Sequence, residues 1–214
     1  TTSPAKHPRA INMTTQKQMP LPAALEVLHN IRNDQIVITT MGSAREWMKL
    51  GTHPLDFVYA PSAMGEAPAV GLGLALAQPD RQVIVCNGDG CMLMNLGSLV
   101  TVTAQAPENY VLIVFDNGGY EVTGMQQTAA SLDARRRGDA IDFCGTARSC
   151  GFQSVYEFDD LDAWRNGLAS VLEATGPTFV LLKVAPVPGG AVPRSPAPAA
   201  GRAAGLRAAL TTAQ

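Results

Sequence analysis

Gln82-Val83-Ile84-Val85-Cys86-Asn87-Gly88-Asp89-Gly90 and Tyr110-Val111-Leu112-Ile113-Val114-Phe115-Asp116-Asn117-Gly118-Gly119-Tyr120 are the two stretches that decide the fold. Each is a short apolar run followed at once by a polar, glycine-rich turn. A strand that is apolar on both sides needs cover on both faces, and parallel sheets clothed by helices have that need.

The same alternation continues outward from these runs. Residues 21–32 have helical spacing, with Leu25, Leu28 and Ile31 on one face and Pro22 suited to a first turn. Residues 35–40 and 57–60 predict strands. Between them, 43–50 predict a short helix with Ser43 as its N-cap. Residues 64–77 carry almost no charge and predict a buried helix, and 91–106 a second one. The polar, weakly patterned segment 121–137 predicts a mobile loop. Helices over 140–150 and 161–173 then alternate with strands over 154–156 and 178–184. The expected fold is a doubly wound α/β domain, with a mostly parallel sheet and helices on both faces. That domain is expected over 21–186. A flexible tail over 1–20 would precede it. A Pro/Ala-rich extension over 187–214, with a short helix near 203–209, would follow.

Composition narrows the function classes. The 214 residues are 46% hydrophobic and 16% charged, with a net charge of −2. That balance offers no attraction to nucleic acid or an anionic membrane. Aromatic residues make up only 6%, too sparse for a base-stacking surface. The apolar run 67–77 is too short to span a bilayer, which takes about 20 residues. The first 20 residues lack the apolar core of a secretion signal, so a cytoplasmic location is expected. Cys86, Cys91, Cys144 and Cys150 form no Cys-x-x-Cys pair, which argues against zinc or iron–sulfur spacing. They are expected to be reduced and structural.

Ligands of open α/β sheets bind outside the carboxyl ends of the strands. If the two decisive strands are neighbours, Asp89 and Asn117 face one crevice. Asp89 offers a hard carboxylate oxygen and Asn117 an amide oxygen. Gly90 and Cys91 open a helix, where free N–H groups and the helix dipole favour phosphate. Such a set suits a Mg²⁺–diphosphate group, because Mg²⁺ takes much of its oxygen shell from phosphate and water.

At these residues the sequence resembles the thiamine-diphosphate enzyme family. Its motif is Gly-Asp-Gly, roughly 25 residues, then a pair usually written Asn-Asn. Here 25 residues, 91–115, separate Gly90 from Asp116-Asn117. The resemblance implies that Asp89, Asn117 and the carbonyl of Gly119 hold Mg²⁺. It implies that Gly88, Gly90, Cys91, Asn117, Gly119 and Tyr120 contact thiamine diphosphate. Asp116 stands where the first Asn is usual, and Cys91 where Ser is frequent. The family also places a large apolar residue beneath the cofactor as a wedge. That role falls on Met64, whose alternative is plain core packing. The backbone oxygen of Ser62 would meet the aminopyrimidine.

The resemblance extends from about residue 21 to 210 and corresponds to the diphosphate-binding domain alone. Its nearest type is the β subunit of sulfopyruvate and phosphonopyruvate decarboxylases. Residues 92–99, 123–128 and 193–196 carry that finer likeness. Such enzymes need a Glu beside the pyrimidine, and it belongs to a separate pyrimidine-binding domain. No catalytic residue is therefore expected in this chain. An α subunit would supply the Glu at an interface site, in a dimer or larger oligomer. A fragment of a longer protein is the competing reading. The implied reaction is decarboxylation of a small 2-oxo acid. Carboligation, as in acetolactate synthases, the β subunit of a 2-oxoacid oxidoreductase and a non-catalytic thiamine-diphosphate-binding protein are the alternatives.

Several features are read as structural. Gly71 and Gly73 imitate a dinucleotide fingerprint, yet lie within a helix and predict close helix packing. Arg135, Arg136 and Arg137 could meet a sulfonate or phosphonate, but a solvated run is the simpler reading. His7, His29 and His53 do not cluster in sequence. Glu66 would stabilise a helix start. Glu121 and Thr123 follow the metal turn and could order over the diphosphate.

Overall fold

The protein is described here as a computed structural model, covering residues 18–59, 64–187 and 194–212. In chain order the elements are β1 (Met19–Pro20), α1 (Leu21–Ile31), β2 (Ile36–Thr40), α2 (Met41–Trp47), β3 (Asp56–Tyr59) and α3 (Ala67–Ala77). Then come β4 (Val83–Gly88), α4 (Asp89–Met94), α5 (Ser98–Gln105), β5 (Tyr110–Asp116), β6 (Gly119–Tyr120), a 3-10 turn (Glu121–Thr123) and β7 (Gln126–Gln127). The chain finishes with α6 (Leu132–Arg137), α7 (Phe143–Ser149), β8 (Ser154–Phe158), α8 (Leu161–Glu173), β9 (Thr178–Ala185) and α9 (Ala199–Thr212).

Every pairing in the main sheet is parallel, in the order β1-β9-β5-β4-β2-β3. β8 pairs with residues 178–182 of β9, and β1 pairs just beyond it at Val184 and Ala185. The expected doubly wound α/β architecture is present.

The continuous apolar strands are explained by the two cores. In β4, Val83 and Val85 face one core, while Ile84 and Cys86 face the other. In β5, Leu112 and Val114 join the first core, and Val111, Ile113 and Phe115 the second. The first is covered by α3, α5, α7 and Leu206 of α9, the second by α1, α8 and Trp47 of α2. Each fully buried Val, Leu or Ile side chain contributes roughly 1.5–3 kcal/mol, so the two layers carry most of the stability.

The structure corrects several expected boundaries. The tail expected to be flexible through residue 20 joins the sheet at Met19. Ser43 is not the N-cap of α2: Thr40 is, and Ser43 sits at the third helical position. Ser43 Oγ accepts the Thr40 N–H at 3.2 Å and has the Cys86 carbonyl 2.9 Å away, which ties α2 to β4. The helix expected from Met64 begins only at Ala67, because Gly65 adopts a φ of +94° and breaks the helical path. The helix expected over 91–106 is two helices, divided at Asn95, whose φ is −146°.

The segment expected to be a mobile loop over 121–137 is built from the 3-10 turn, the β6–β7 pair and α6. The final helix is longer than expected and runs from Ala199 to Thr212. Its Arg202 donates to the Val58 carbonyl and sits 5.7 Å over the Phe57 ring, against the edge strand β3.

Candidate functional site

From β2 the chain steps outward to β3, then returns past β2 to build β4, β5 and β9. The topological switch therefore lies between β2 and β4. At that point the connections on either side diverge and leave a crevice above the carboxyl ends of the strands.

β4 and β5 are direct neighbours with Gly88 opposite Phe115, so Asp89 and the Asp116–Asn117 pair leave the sheet side by side. Met64, Gly88, Asp89, Gly90, Cys91, Asn117, Gly119 and Tyr120 all line this one crevice. Ser62 lies outside the described residues. The turn after β2 lines the crevice as well, through Met41, Gly42 and Ser43. Its membership depends on strand order, which local patterning does not reveal.

Asp89 opens α4 and is only 2% exposed. Its Oδ2 accepts a hydrogen bond from Thr128 Oγ1 at 2.8 Å. Burial, reinforced by the nearby charge of Asp116, pushes its carboxyl pKa up to about 7. Asn117 Oδ1 accepts the Gly119 N–H at 3.0 Å, and Asp116 Oδ1 the Gly118 N–H at 3.2 Å. Two successive side chains thus cap two successive amides, around a Gly118 at φ +74°. The Tyr120 ring lies so close over Gly90 that a Cβ there would sit 2.6 Å from Tyr120 Cδ1. Only glycine lets the first turn of α4 pass under that ring. Cys91 is buried, and burial pushes its thiol pKa up.

Thr128 escaped the reading of the sequence as a site residue. It donates to Asp89 through its hydroxyl, and its N–H donates to the Gly118 carbonyl at 3.0 Å. Glu121 and Thr123, which the sequence places just after the metal turn, both line the crevice, and the partners of Glu121 are what the sequence did not reveal. Its carboxylate accepts from Arg45 Nη2 at 3.1 Å and from the Val187 N–H at 2.6 Å, joining α2 and the chain after β9 at the crevice wall. The signal for both lay 39 or more residues away in sequence.

Arg136 and Arg137 pair with Asp133 and Asp139 at the surface, as a solvated run would. Arg135 does not: it reaches buried Asp116 at 2.6 Å. His53 lies apart from the crevice, against a cavity bordered by Arg202 and Leu206. Glu66 occupies the N-cap position of α3 without a side-chain capping bond, and its Oε1 instead accepts from Asn95 Nδ2 at 3.3 Å. Gly71 packs tightly against the sheet, while Gly73 faces open space.

The donors fit Mg²⁺ better than a transition metal. Among the described residues no group of three or more His, Cys, Asp or Glu is placed to hold a metal. Asp89, Asn117 and Gly119, which all line the crevice, would instead offer a carboxylate, an amide oxygen and a backbone carbonyl, hard donors that leave coordination positions for phosphate and water. Asn87, fully buried in the crevice wall, has an Oδ1 with no hydrogen-bond partner among the described residues. A metal-bound water would satisfy it.

Asp89 must lose its proton to hold a metal. Mg²⁺ affinity is therefore expected to climb as pH rises toward 7 and to level off above it. Calorimetry from pH 5.5 to 8.5, corrected for Mg²⁺ binding to free thiamine diphosphate, reads this directly. A corrected affinity flat across that range would remove Asp89 from the ligand set.

The chain matches the family "Thiamine pyrophosphate enzyme, C-terminal TPP binding domain" over residues 38–182. It is 43% identical over 166 residues to phosphonopyruvate decarboxylase from Streptomyces viridochromogenes, aligning 77% of this chain with 39% of that protein. It is 38% identical over 164 residues to sulfopyruvate decarboxylase subunit beta from Methanothermobacter thermautotrophicus, covering 76% of this chain and 80% of that subunit. The chain thus spans less than half of the Streptomyces enzyme and most of the separate β subunit. Among solved structures, benzoylformate decarboxylase from Polynucleobacter necessarius superposes with a TM-score of 0.60 at 18% identity, over 85% of this chain and 35% of that one.

Proposed function

The chain belongs to the thiamine pyrophosphate enzyme family through its C-terminal cofactor-binding domain, and from that premise we propose that it is the Mg²⁺- and thiamine-diphosphate-binding subunit of a 2-oxo acid decarboxylase. The observation that carries this reading is the convergence of Asp89, Asn117 and Gly119 on one crevice at the switch point of the sheet. Asp89, Asn117 and the Gly119 carbonyl hold the metal. Gly90 and Cys91 turn the amides of the first turn of α4 toward the diphosphate. Met64 stands at the rim, 46% exposed, where it can lie beneath the cofactor rather than in a core.

Thiamine diphosphate, when bound, supplies the electron sink for loss of carbon dioxide from the 2-oxo acid. The residues of this chain hold and orient it, and the crevice wall limits water. The activating Glu comes from a separate pyrimidine-domain subunit, in a heteromeric dimer or larger assembly. The likeness to a protein named as a subunit beta supports that division. A three-carbon substrate bearing a sulfonate or phosphonate follows from the two relatives' names. A cytoplasmic site fits four free cysteines.

Thiamine diphosphate with Mg²⁺ is expected to raise the melting temperature of the chain, since a ligand at 100 times its Kd adds about 2.7 kcal/mol. Carbon dioxide release from sulfopyruvate or phosphonopyruvate is expected only when a pyrimidine-domain subunit is added. No melting shift at millimolar cofactor would sink the reading. Condensed products in place of aldehyde would redirect it to carboligation.

A further inference from the structure

Asp116 ends β5 and its side chain is fully buried. Its Oδ2 accepts from Arg135 Nη2 at 2.6 Å and from Lys183 Nζ at 2.7 Å. Lys183 is the residue directly opposite Asp116 in the β5–β9 register. Arg135 comes from α6, in the segment that local patterning assigns to a loop. The two cations are 28% and 20% exposed, so both give up most of their hydration at this carboxylate. An asparagine at 116 could still accept from Gly118, but it could not balance two cations.

A second set of bonds points the same way. Thr128 holds Asp89 through its hydroxyl and Gly118 through its N–H. The stretch from Thr128 to Arg135 is thus fastened at one end to a carboxylate ligand of the crevice. Its other end is fastened to the residue that precedes Asn117. Its middle is closed by Ser131, which caps α6 by accepting the Ala134 N–H.

We propose that Arg135 and Lys183 are positioning residues that act through Asp116 to hold the 116–119 turn in its ligating shape, so that filling the metal site and docking α6 are coupled. This rests on the reading that the crevice takes Mg²⁺ with thiamine diphosphate. Arg135 touches neither. It orders the turn that offers Asn117 and the Gly119 carbonyl, and metal binding in turn favours the docked α6 by the same free energy.

The test titrates Mg²⁺ into the full chain at saturating thiamine diphosphate, with hydrogen exchange of the α6 amides followed alongside. Removing the supports of metal ligands typically costs about 10–100-fold in affinity, and Arg135→Met is expected to fall in that range. Mg²⁺ loading should protect α6 from exchange in the wild type and not in Arg135→Met. Arg135→Lys should restore most of the affinity, because only one guanidinium nitrogen makes the observed bond. Arg136→Met, on the same helix but paired only with exposed Asp133, should bind as the wild type does. Wild-type affinity in Arg135→Met, or an equal loss in Arg136→Met, would overturn the inference alone. A wild-type chain that binds neither Mg²⁺ nor cofactor would overturn the functional reading first, and this inference with it.

Discussion

Asp89→Asn is expected to abolish Mg²⁺-dependent binding of thiamine diphosphate and, at pH 8, to make the ligand-free chain more stable. Both effects have one cause. The carboxylate sits 2% exposed with one hydroxyl donor, beside the charge of Asp116. Its pKa is displaced from 3.8 to about 7. At about 1.4 kcal/mol per unit, holding it ionised above pH 7 costs roughly 4 kcal/mol. Because the folded value lies above the unfolded one, the cost is absent below pH 4, grows through pH 4–7 and is complete above it. Asparagine removes the charge and keeps an oxygen for Thr128. Each kcal/mol regained is worth roughly 2–4 °C in a chain of this size, so a rise of several degrees is expected at pH 8 and little change at pH 4. The ligand side moves the other way. With Asp89 as the proposed direct ligand, its loss should exceed the roughly 100-fold upper range seen for indirect supports. Thermal melts with and without Mg²⁺ and cofactor read both effects. Equal cofactor stabilisation in the variant and the wild type would take Asp89 out of the metal site.

The proposed trade of stability for a ligand at Asp89 also separates the parts of the molecule that could be read from its sequence from those that could not. The strands β4, β5 and β9 and the helix α8 were legible because burial writes itself as long apolar runs or a 3.6-residue period. The crevice at β4 and β5 was legible because its residues directly follow those strands. What could not be read is held by lone contacts between distant residues. β1, β6 and β7 are two residues each, too short for any period. α6 buries only Ala134 and is fastened by Arg135 to Asp116 and by the Thr128 turn to Asp89. No local pattern distinguishes an arginine aimed at water from one aimed at a buried carboxylate. The turn after β2 was missed for a topological reason: it joins the crevice only because β2 lies between β3 and β4.

Gly71 and Gly73, two residues apart in one helix, are expected to respond to alanine with opposite signs. α3 lies against the sheet so closely that a Cβ at Gly71 would stand 2.2 Å from Val85 Cγ2, 3.1 Å from Tyr110 Cε2 and 3.4 Å from Ile38 Cδ1. Those neighbours cannot retreat. Val85 and Ile38 are fully buried in the sheet, and branching at Cβ leaves them few rotamers. Tyr110 is anchored by its hydroxyl, which donates to the Pro68 carbonyl at 3.1 Å. The helix itself must lift. Overpacking of this kind costs about 1–3 kcal/mol, occasionally more, and with three rigid neighbours the upper end is expected for Gly71→Ala. That corresponds to a fall of roughly 6–12 °C. Gly73 has nothing within 4 Å of its would-be Cβ. There alanine only removes the glycine penalty of a helix interior and should add about 0.5–1 kcal/mol. The lift should also reach the crevice. The turn holding Met64 precedes α3, and its Gly65 carbonyl accepts from Asn95, just beyond α4. Gly71→Ala should therefore weaken cofactor binding without touching the cofactor, and Gly73→Ala should leave it unchanged. Melting curves of the two variants in which Gly71→Ala is the more stable would mean that α3 does not pack on this face of the sheet. The Met64 rim would then lose its support as well.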